Sequence, residues 1–446
     1  MKRALALLLA AALFCLSGCS LTPASMESLL SPPVRTEEQS EIYQALLGSV
    51  NTNISLVYPR SGEHTSAFVV EDIDGDGLED ALVFYRDQSQ AISTGSVRMN
   101  FLVQREGNWV STHDISLQNA TEVEKMQLLH QDGTTYLVVG FNQSSTSEKL
   151  LKVYTYSQEQ GPQERLSENC SNFTVTDLDG DGIQDLFLIS APPVSDNMTR
   201  EVTGILWKLQ NGKFVEDSTV RMNSRAMEYL NINLGWVEQE DIPALYLDSQ
   251  IGTNSEGTEI IRYQNGQLVD LMVSANAEED RAAVTYRPSG YSCLDLDQNG
   301  CYEIPSPQLF PGYTDQDSTQ SLFYIVWSVY QQGDLVPTAI TYTNYLLNYH
   351  FYLPDPWVGE VSASWDSTTN EITFFRYQDS LRQQEQVLLK IRVFTRSDWE
   401  GRSPASHYVY LAQNGQLVYS YELFETGSGL DLTDQEVQQR FTLMNS

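Results

Sequence analysis

One acidic nine-residue segment occurs in this chain in three recognisable copies. It reads DIDGDGLED from Asp72 to Asp80, DLDGDGIQD from Asp177 to Asp185, and DLDQNGCYE from Asp295 to Glu303. Each copy has oxygen-bearing side chains at positions 1, 3, 5 and 9, and a Gly at position 6 that lets the backbone turn sharply with positive φ. Four oxygen ligands crowded into one short turn repel one another unless a hard cation lies between them. The three loops therefore predict calcium sites.

The predicted calcium ligands are the side chains at positions 1, 3, 5 and 9 and the main-chain carbonyl at position 7. They are Asp72, Asp74, Asp76, Leu78 and Asp80 in the first loop, Asp177, Asp179, Asp181, Ile183 and Asp185 in the second, and Asp295, Asp297, Asn299, Cys301 and Glu303 in the third. Asn299 and Glu303 replace Asp in the third loop but still carry oxygen donors. We expect two strong calcium sites and one weaker site, with no other cofactor.

The residues around the loops separate them from helical calcium motifs. An EF-hand or dockerin loop has a carboxylate at position 12 and a helix after it. Position 12 is occupied here by Val83, Leu188 and Ser306, and short apolar runs typical of strands flank the first two loops. We therefore expect each of these loops to connect two strands of a β-hairpin, and a dockerin-like adaptor is disfavoured.

At this point the chain resembles the FG-GAP and VCBS-type repeats, whose calcium loops are also found in integrin α-chain propellers. The motif D-x-D-x-D-G-x-x-D is matched in full by the first two loops and with two substitutions by the third. The resemblance implies a β-propeller in which calcium has a structural role. It implies no particular ligand, because propellers have many unrelated functions.

The spacing of the loops indicates a longer repeat. Asp72 and Asp177 are 105 positions apart, or twice about 52, and hairpin-like segments without the acidic loop lie at 126–139 and 229–247. A unit of about 50 residues with four strands is typical of a propeller blade. We predict a mainly β fold over residues 36–446, a β-propeller of about seven blades, with six or eight also compatible. Repeat features weaken beyond about residue 320, so a separate β domain there stays open.

Turn and cap residues give further local predictions. Three Asn-Gly pairs favour tight type I′ hairpin turns: Asn211-Gly212, Asn265-Gly266 and Asn414-Gly415. Capping boxes at Thr36 and Thr433 predict short helices on either side of the β region. The segment Ile54–Tyr58 precedes the first repeat, and we expect it to pair with the last blade and close the ring.

The N-terminus resembles a bacterial lipoprotein signal. Lys2 and Arg3 precede an apolar run that ends at Leu16, followed by Ser17, Gly18 and Cys19. The resemblance implies that residues 1–18 are removed and that Cys19 carries diacylglycerol, with residues 19–35 as a flexible tether. We expect an extracytoplasmic monomer that is lipid-anchored to a bacterial membrane and does not cross it.

The net charge argues against one class of binding partner, and the cysteines limit the possible disulfides. A net charge of −33 makes nucleic acid an unfavourable partner, because phosphates are repelled. Cys293 lies just before the third loop and Cys301 lies within it, and the sequence leaves open whether they form a disulfide or remain two buried thiols. Cys170 has no evident partner.

Two function classes remain compatible with the sequence. The favoured one is a binding or structural module at the cell surface, with an unidentified extracellular protein or glycan as ligand. The alternative is a glycan hydrolase with paired carboxylates in a propeller channel. The acidic runs Glu278-Glu279-Asp280 and Asp315-x-Asp317 are more simply explained as solvated loops. Aromatic residues in the C-terminal half could line a glycan-binding face, although a core role is favoured: Trp357, Trp365, Trp399, Tyr342, Tyr345, Tyr349 and Tyr352. We assign no catalytic residue.

Overall fold

The computed structural model describes residues 35–50, 52–89, 96–193, 200–237, 243–272, 283–314, 321–381, 385–403 and 406–444. The signal segment, Cys19 and the acidic runs at 278–280 and 315–317 lie outside these ranges. The fold is mainly β, as predicted, and the described strands form six antiparallel sheets that follow one another along the chain.

The first three sheets contain the first two acidic loops. Sheet 1 contains β1 (Ile54–Leu56), β2 (Phe68–Glu71), β3 (Asp80–Asp87), β4 (Val97–Arg105) and β5 (Asn108–Leu117). Sheet 2 contains β6 (Ala120–Gln131), β7 (Thr134–Gln143), β8 (Lys149–Thr155) and β9 (Gln163–Cys170). Sheet 3 contains β10 (Asn172–Thr176), β11 (Asp185–Ser190), β12 (Thr203–Gln210) and β13 (Lys213–Arg221).

The other three sheets contain the third loop and the aromatic-rich half. Sheet 4 contains β14 (Glu228–Trp236), β15 (Pro243–Gly252), β16 (Ser255–Gln264), β17 (Gln267–Asp270) and β18 (Arg287–Pro288). Sheet 5 contains β19 (Ile304–Leu309), β20 (Phe323–Gln331), β21 (Asp334–Asn344), β22 (Tyr349–Tyr352) and β28 (Phe441–Leu443). Sheet 6 contains β23 (Val361–Asp366), β24 (Glu371–Arg376), β25 (Val387–Thr395), β26 (Val409–Asn414) and β27 (Leu417–Leu423).

Helices are few, and both predicted ones are present. Helix α1 (Glu37–Ser49) begins at the capping box of Thr36 and Gln39 and buries Ile42 and Leu46. Helix α2 (Arg396–Glu400) follows β25, and helix α3 (Asp434–Arg440) begins at the predicted capping box of Thr433 and Glu436. Single 3₁₀ turns occur at Ala283–Thr285 and Asp355–Trp357. Among the described residues, no helix is long and apolar enough to span a lipid bilayer.

The type I′ prediction is confirmed at two of the three Asn-Gly pairs. It is wrong at Asn414-Gly415, where Asn414 pairs with Leu417 as the last residue of β26 and only Gly415 has positive φ, 55°. Asn211 and Gly212 have φ of 51° and 75°, and Asn265 and Gly266 have φ of 52° and 80°, as a type I′ turn requires. The segment at 126–139 that lacks the acidic loop is the hairpin of β6 and β7. Its turn residue Asp132 also has positive φ, 51°.

The ring-closing role predicted for residues 54–58 is wrong. Strand β1 pairs with β3 of its own sheet, with Ile54 opposite Asp87, so it extends the first sheet. The apolar side chain of Ile54 is buried in the cluster that α1 covers, and this burial provides the physical reason for the pairing. The described strands form six sheets, one fewer than the seven blades predicted and within the range of six to eight. Closure of the sheets into a ring stays a prediction.

Consecutive sheets are joined by hydrogen bonds that cross between them. The amide of Ser61 donates to Glu124 O at 2.9 Å between sheets 1 and 2, and the amide of Val175 donates to Gln127 Oε1 at 3.1 Å between sheets 3 and 2. Other crossing bonds run from Leu268 N to Ser218 Oγ at 2.9 Å, from Trp236 N to Gly300 O at 2.8 Å, and from Ser362 Oγ to Pro311 O at 2.7 Å. Each sheet therefore contacts the next one along the chain.

Candidate metal centres

The first acidic loop connects β2 to β3, as predicted, and its backbone amides fold around its own carboxylates. Asp72 accepts hydrogen bonds from the amides of Gly75 at 2.8 Å and Gly77 at 3.0 Å. Asp80, at the other end of the loop, accepts from the amides of Ile73 at 3.1 Å and Asp74 at 3.0 Å. These bonds hold the carboxylates at both ends of the loop in place.

The same backbone geometry recurs in the second and third loops. The position-1 carboxylates of Asp177 and Asp295 accept the position-6 amides of Gly182 at 2.8 Å and Gly300 at 3.0 Å. The position-5 side chain accepts the position-7 amide in every loop. The donor–acceptor distance is 2.8 Å for Leu78 and Asp76, 2.8 Å for Ile183 and Asp181, and 2.7 Å for Cys301 and Asn299. The three segments therefore share one conformation, although the third is closed by a single bridge between Leu294 and Glu303 and not by a pair of strands.

Position 4 is a feature that the sequence reading missed. Position 4 has positive φ in every loop, like position 6. The values at positions 4 and 6 are 79° and 86° for Gly75 and Gly77, 75° and 83° for Gly180 and Gly182, and 60° and 85° for Gln298 and Gly300. The first Gly of the D-G-D-G pattern, at position 4 in the first two loops, was the available signal. Gln298 adopts this conformation with a side chain, which costs about 1–2 kcal/mol of backbone strain.

The position-9 acid is buried in all three loops. Asp80, Asp185 and Glu303 are 2%, 4% and 2% exposed. The pKa of each of these carboxyl groups is raised to about 7, mainly by burial and in part by the neighbouring loop carboxylates. A buried carboxylate beside other acids is costly without a counter-cation. The base of each loop is therefore a place where a cation relieves repulsion.

Asp185 carries an unsatisfied acceptor at the base of the second loop. Its Oδ2 atom is buried and has no hydrogen-bond partner. Asp177, Asp179 and Asp181 of the same loop bring one carboxylate oxygen each within 4.8 Å of one another, as do Asp72, Asp74 and Asp80 in the first loop. Hard oxygen donors at such separations fit Ca²⁺, which takes six to eight oxygens. The third loop brings its three carboxylates less close together.

Each loop also touches the neighbouring sheet. In the first loop, Asp72 O accepts from Thr135 Oγ1 at 3.3 Å, and Asp76 Oδ2 accepts from Gln158 Nε2 at 3.3 Å. In the second, Gln184 Oε1 accepts the amide of His130 at 2.9 Å. In the third, Gly300 O accepts the amide of Trp236. The loops therefore lie at joints between sheets 1 and 2, 2 and 3, and 4 and 5.

The second loop has a cationic neighbour that sequence reasoning did not find. Lys208 lies on β12 and pairs with Asp179 through its ammonium group. The ammonium also lies 4.7 Å from the centre of the Tyr263 ring in sheet 4. No local pattern around Lys208 signals this contact, because it depends on which residue of β12 lies beside β11.

Four cavities of the described part of the chain lack the acid pair that a glycosidase needs. Cavities of about 460, 250, 800 and 420 Å³ occur in the described part of the chain, and none of these four is lined by two carboxylates. The 250 Å³ cavity is aromatic, with Tyr291, Tyr342, Tyr345 and Trp365 among its lining residues. Trp357, Tyr342 and Tyr349 are core residues, at 2%, 5% and 0% exposed. The core role favoured for these rings is thus observed at three of them.

The cysteines of the described region form no disulfide. Cys170, Cys293 and Cys301 are all buried thiols. Of the two alternatives that the sequence left open around the third loop, the structure has the pair of buried thiols. Cys293 Sγ lies 3.2 Å from Asp248 Oδ1 and 3.2 Å from Thr258 Oγ1, within the polar core of sheet 4.

Comparison with known proteins leaves the family open. No protein-family model and no curated protein matches the chain. Among solved structures, the chain is similar to a rhamnogalacturonan lyase of Bacillus licheniformis, with 11% identity, a TM-score of 0.30, and coverage of 83% of this chain and 91% of that one. It is also similar to the GH32 β-fructofuranosidase BmSUC1 of Bombyx mori, with 10% identity, a TM-score of 0.29, and coverage of 80% and 75%. Likenesses this weak carry no argument about function.

Proposed function

We propose that this chain is an exported, lipid-anchored β protein that uses calcium to fasten its sheets together and acts as a binding or structural module at the cell surface. Calcium is a structural ion in this proposal. The observation that carries it is the buried position-9 acid, present in three loops of the same conformation and left without a partner atom at Asp185 Oδ2.

The location of the loops supports a fastening role. Each loop accepts a hydrogen bond from a sheet other than its own, so ordering a loop also orders a joint. Extracellular modules bind calcium with Kd of roughly 10⁻⁴–10⁻³ M. At about 1 mM calcium, each site then adds about 0.4–1.4 kcal/mol to the free energy of unfolding. Three such increments matter against a typical total of about 5–15 kcal/mol.

Chelation is the decisive experiment for the calcium role. Calcium should raise the unfolding temperature of the full chain in detergent, and a chelator should lower it. Asp74→Asn removes one ligand charge from the first loop and should reduce the calcium-dependent shift. Asp132→Asn removes the same charge at an exposed hairpin turn outside the loops, and its calcium response should equal that of the wild type. An unfolding temperature that changes neither with calcium nor with chelator would refute the proposal.

The anchor requires a separate test. Membrane attachment is proposed from Lys2, Arg3, the apolar run and Cys19. An acyl chain is the suitable attachment for this chain, because a net charge of −33 is repelled by anionic lipid. Cys19→Ala should move the protein from the membrane fraction to the soluble fraction after cell breakage, while Ser20→Ala should leave it in the membrane. Equal membrane retention of both variants would exclude lipidation at Cys19.

A further inference from the structure

Lys208 is held against the second loop from several sides. Its ammonium pairs with the position-3 carboxylate of Asp179, and the two side chains are only 19% and 11% exposed. The ring of Tyr263 lies 4.7 Å from the ammonium, and its hydroxyl donates to Asp217 Oδ2 at 2.7 Å. Lys208 therefore has a fixed position beside predicted calcium ligands.

The three loops provide an internal comparison at this position. The residue after each loop pairs with the next strand, as Ala81 with Leu102, Leu186 with Trp207, and Ile304 with Ser328. One residue further along the partner strand, the chain has Val103 in the first case, Lys208 in the second and Val329 in the third. A lysine therefore occupies the strand position beside the second loop where the other two loops have valine.

We propose that Lys208 is an internal cation that competes with calcium for the second loop, so that this loop binds calcium more weakly than the first. The inference rests on the proposed calcium role of the loops. The ammonium already neutralises Asp179, and a calcium ion that takes Asp179 as ligand brings two more positive charges close to it. Coulomb repulsion between the ammonium and a calcium ion bound to the same carboxylate weakens calcium binding by about tenfold or more, even when water screens most of it.

This inference changes the ranking of sites that the motif suggests. The first two loops match the acidic pattern equally, and sequence alone makes them equally strong. Asp185 Oδ2 is unpartnered although Lys208 is near, so the ammonium does not satisfy every acid of the loop. The second loop is therefore still able to bind a cation, at a higher calcium concentration than the first.

Two backgrounds isolate the loops for the test. Asp74→Asn with Asp297→Asn disables the first and third loops and leaves the second. Asp177→Asn with Asp297→Asn leaves the first. Calcium binding to the full chain in detergent is measured by titration calorimetry in each background. The first loop should bind about tenfold or more tightly than the second.

Lys208→Met is then added to the background that leaves the second loop. Methionine keeps an unbranched stem beside Tyr263 and removes the charge, and the calcium affinity of the second loop should rise about tenfold or more. Lys213→Met removes an exposed lysine from the next strand and should change the affinity little. Should Lys208→Met not fold, Lys208→Gln decides the same question. Unchanged affinity after loss of the Lys208 charge would overturn the inference, whereas absence of calcium binding at the first loop would refute the proposed function itself.

Discussion

The amide of Trp236, at the end of β14, donates a hydrogen bond to the carbonyl of Gly300 in the third loop, with N and O 2.8 Å apart. This bond joins sheet 4 to the loop that precedes sheet 5. The indole of Trp236 lies against Gly300 so closely that an added Cβ would be 2.4 Å from Trp236 Cδ1. Gly300 also has a φ of 85°. Its lack of a side chain is therefore needed for both the turn and the joint.

The first prediction concerns that glycine. Gly300→Ala should lower the free energy of unfolding by about 1–2 kcal/mol through backbone strain. It should cost about 0.5–1.5 kcal/mol more because the added Cβ pushes the partly exposed indole of Trp236 off its rotamer. Gly77→Ala is the matched control. Gly77 occupies the same loop position with a φ of 86°, but nothing lies within 4 Å of an added Cβ. Chemical denaturation should show a larger loss in the free energy of unfolding for Gly300→Ala than for Gly77→Ala. Equal losses would contradict a stabilising contact between Gly300 and Trp236.

The second prediction concerns the ion pair of Asp248 and Arg287. Their oxygen and nitrogen lie 2.7 Å apart and the side chains are 0% and 1% exposed. Asp248 also accepts the amide of Cys293 at 2.9 Å, which ties sheet 4 to the segment before the third loop. Arg287→Met leaves this carboxylate buried without its partner and should cost about 3–5 kcal/mol. The comparison is Arg60→Met.

Arg60 pairs with Glu122 at the same 2.7 Å, but these side chains are 61% and 48% exposed. Loss of an exposed pair should cost at most about 1 kcal/mol. Because the two ion pairs have the same length and differ in exposure, the denaturation curves of the two variants show how much of the loss in stability is caused by burial. Similar losses in both would show that the interior around Asp248 is more polar than the contacts indicate.

The third prediction concerns the thiols. Cys170, Cys293 and Cys301 are buried, and burial raises the pKa of the Cys170 thiol to about 12. The test uses a chain that lacks residues 1–18 and carries Cys19→Ala, so that only these three cysteines remain. A thiol reagent should react slowly with this protein when it is folded, and should modify three thiols per chain after unfolding. One reactive thiol after unfolding would instead indicate a disulfide between Cys293 and Cys301.

Sequence reasoning found what depends on neighbouring residues. The helix starts at Thr36 and Thr433, the Asn211-Gly212 turn and the strands around the first loop are all local features, and each is observed. Their physical causes, namely side-chain caps, positive φ and apolar alternation, are properties of a few consecutive residues.

What sequence reasoning missed depends on contacts between distant residues. Strand β1 joins the first sheet because its apolar face is buried under α1, and no local pattern distinguishes that pairing from one with the last sheet. The contact of Lys208 with Asp179 depends on strand register over 29 positions. The number of sheets also depends on where the turns without acidic loops lie. An average repeat length does not determine this number.

The fourth prediction concerns pH and His350. This residue of β22 is 5% exposed, its Nδ1 lies 2.8 Å from Thr343 Oγ1, and its ring packs edge-on against Trp327. Burial lowers the pKa of His350 to about 4, below the value of about 6.5 expected in the unfolded chain. The folded state thus binds fewer protons than the unfolded state between these values. The contribution of His350 to stability is present above about pH 6.5 and is lost as the pH falls towards about 4.

The shift corresponds to at most about 3 kcal/mol over that interval. His350→Gln keeps a hydrogen-bonding side chain and removes the titration. The free energy of unfolding should therefore fall more steeply for the wild type than for His350→Gln between pH 7 and pH 5, measured by chemical denaturation at a fixed calcium concentration. Because other acids titrate equally in both proteins, the difference between the two slopes isolates His350. Parallel slopes would mean that the imidazole accepts a proton in the folded protein without loss, and that the pocket of Thr343 and Trp327 is open to water.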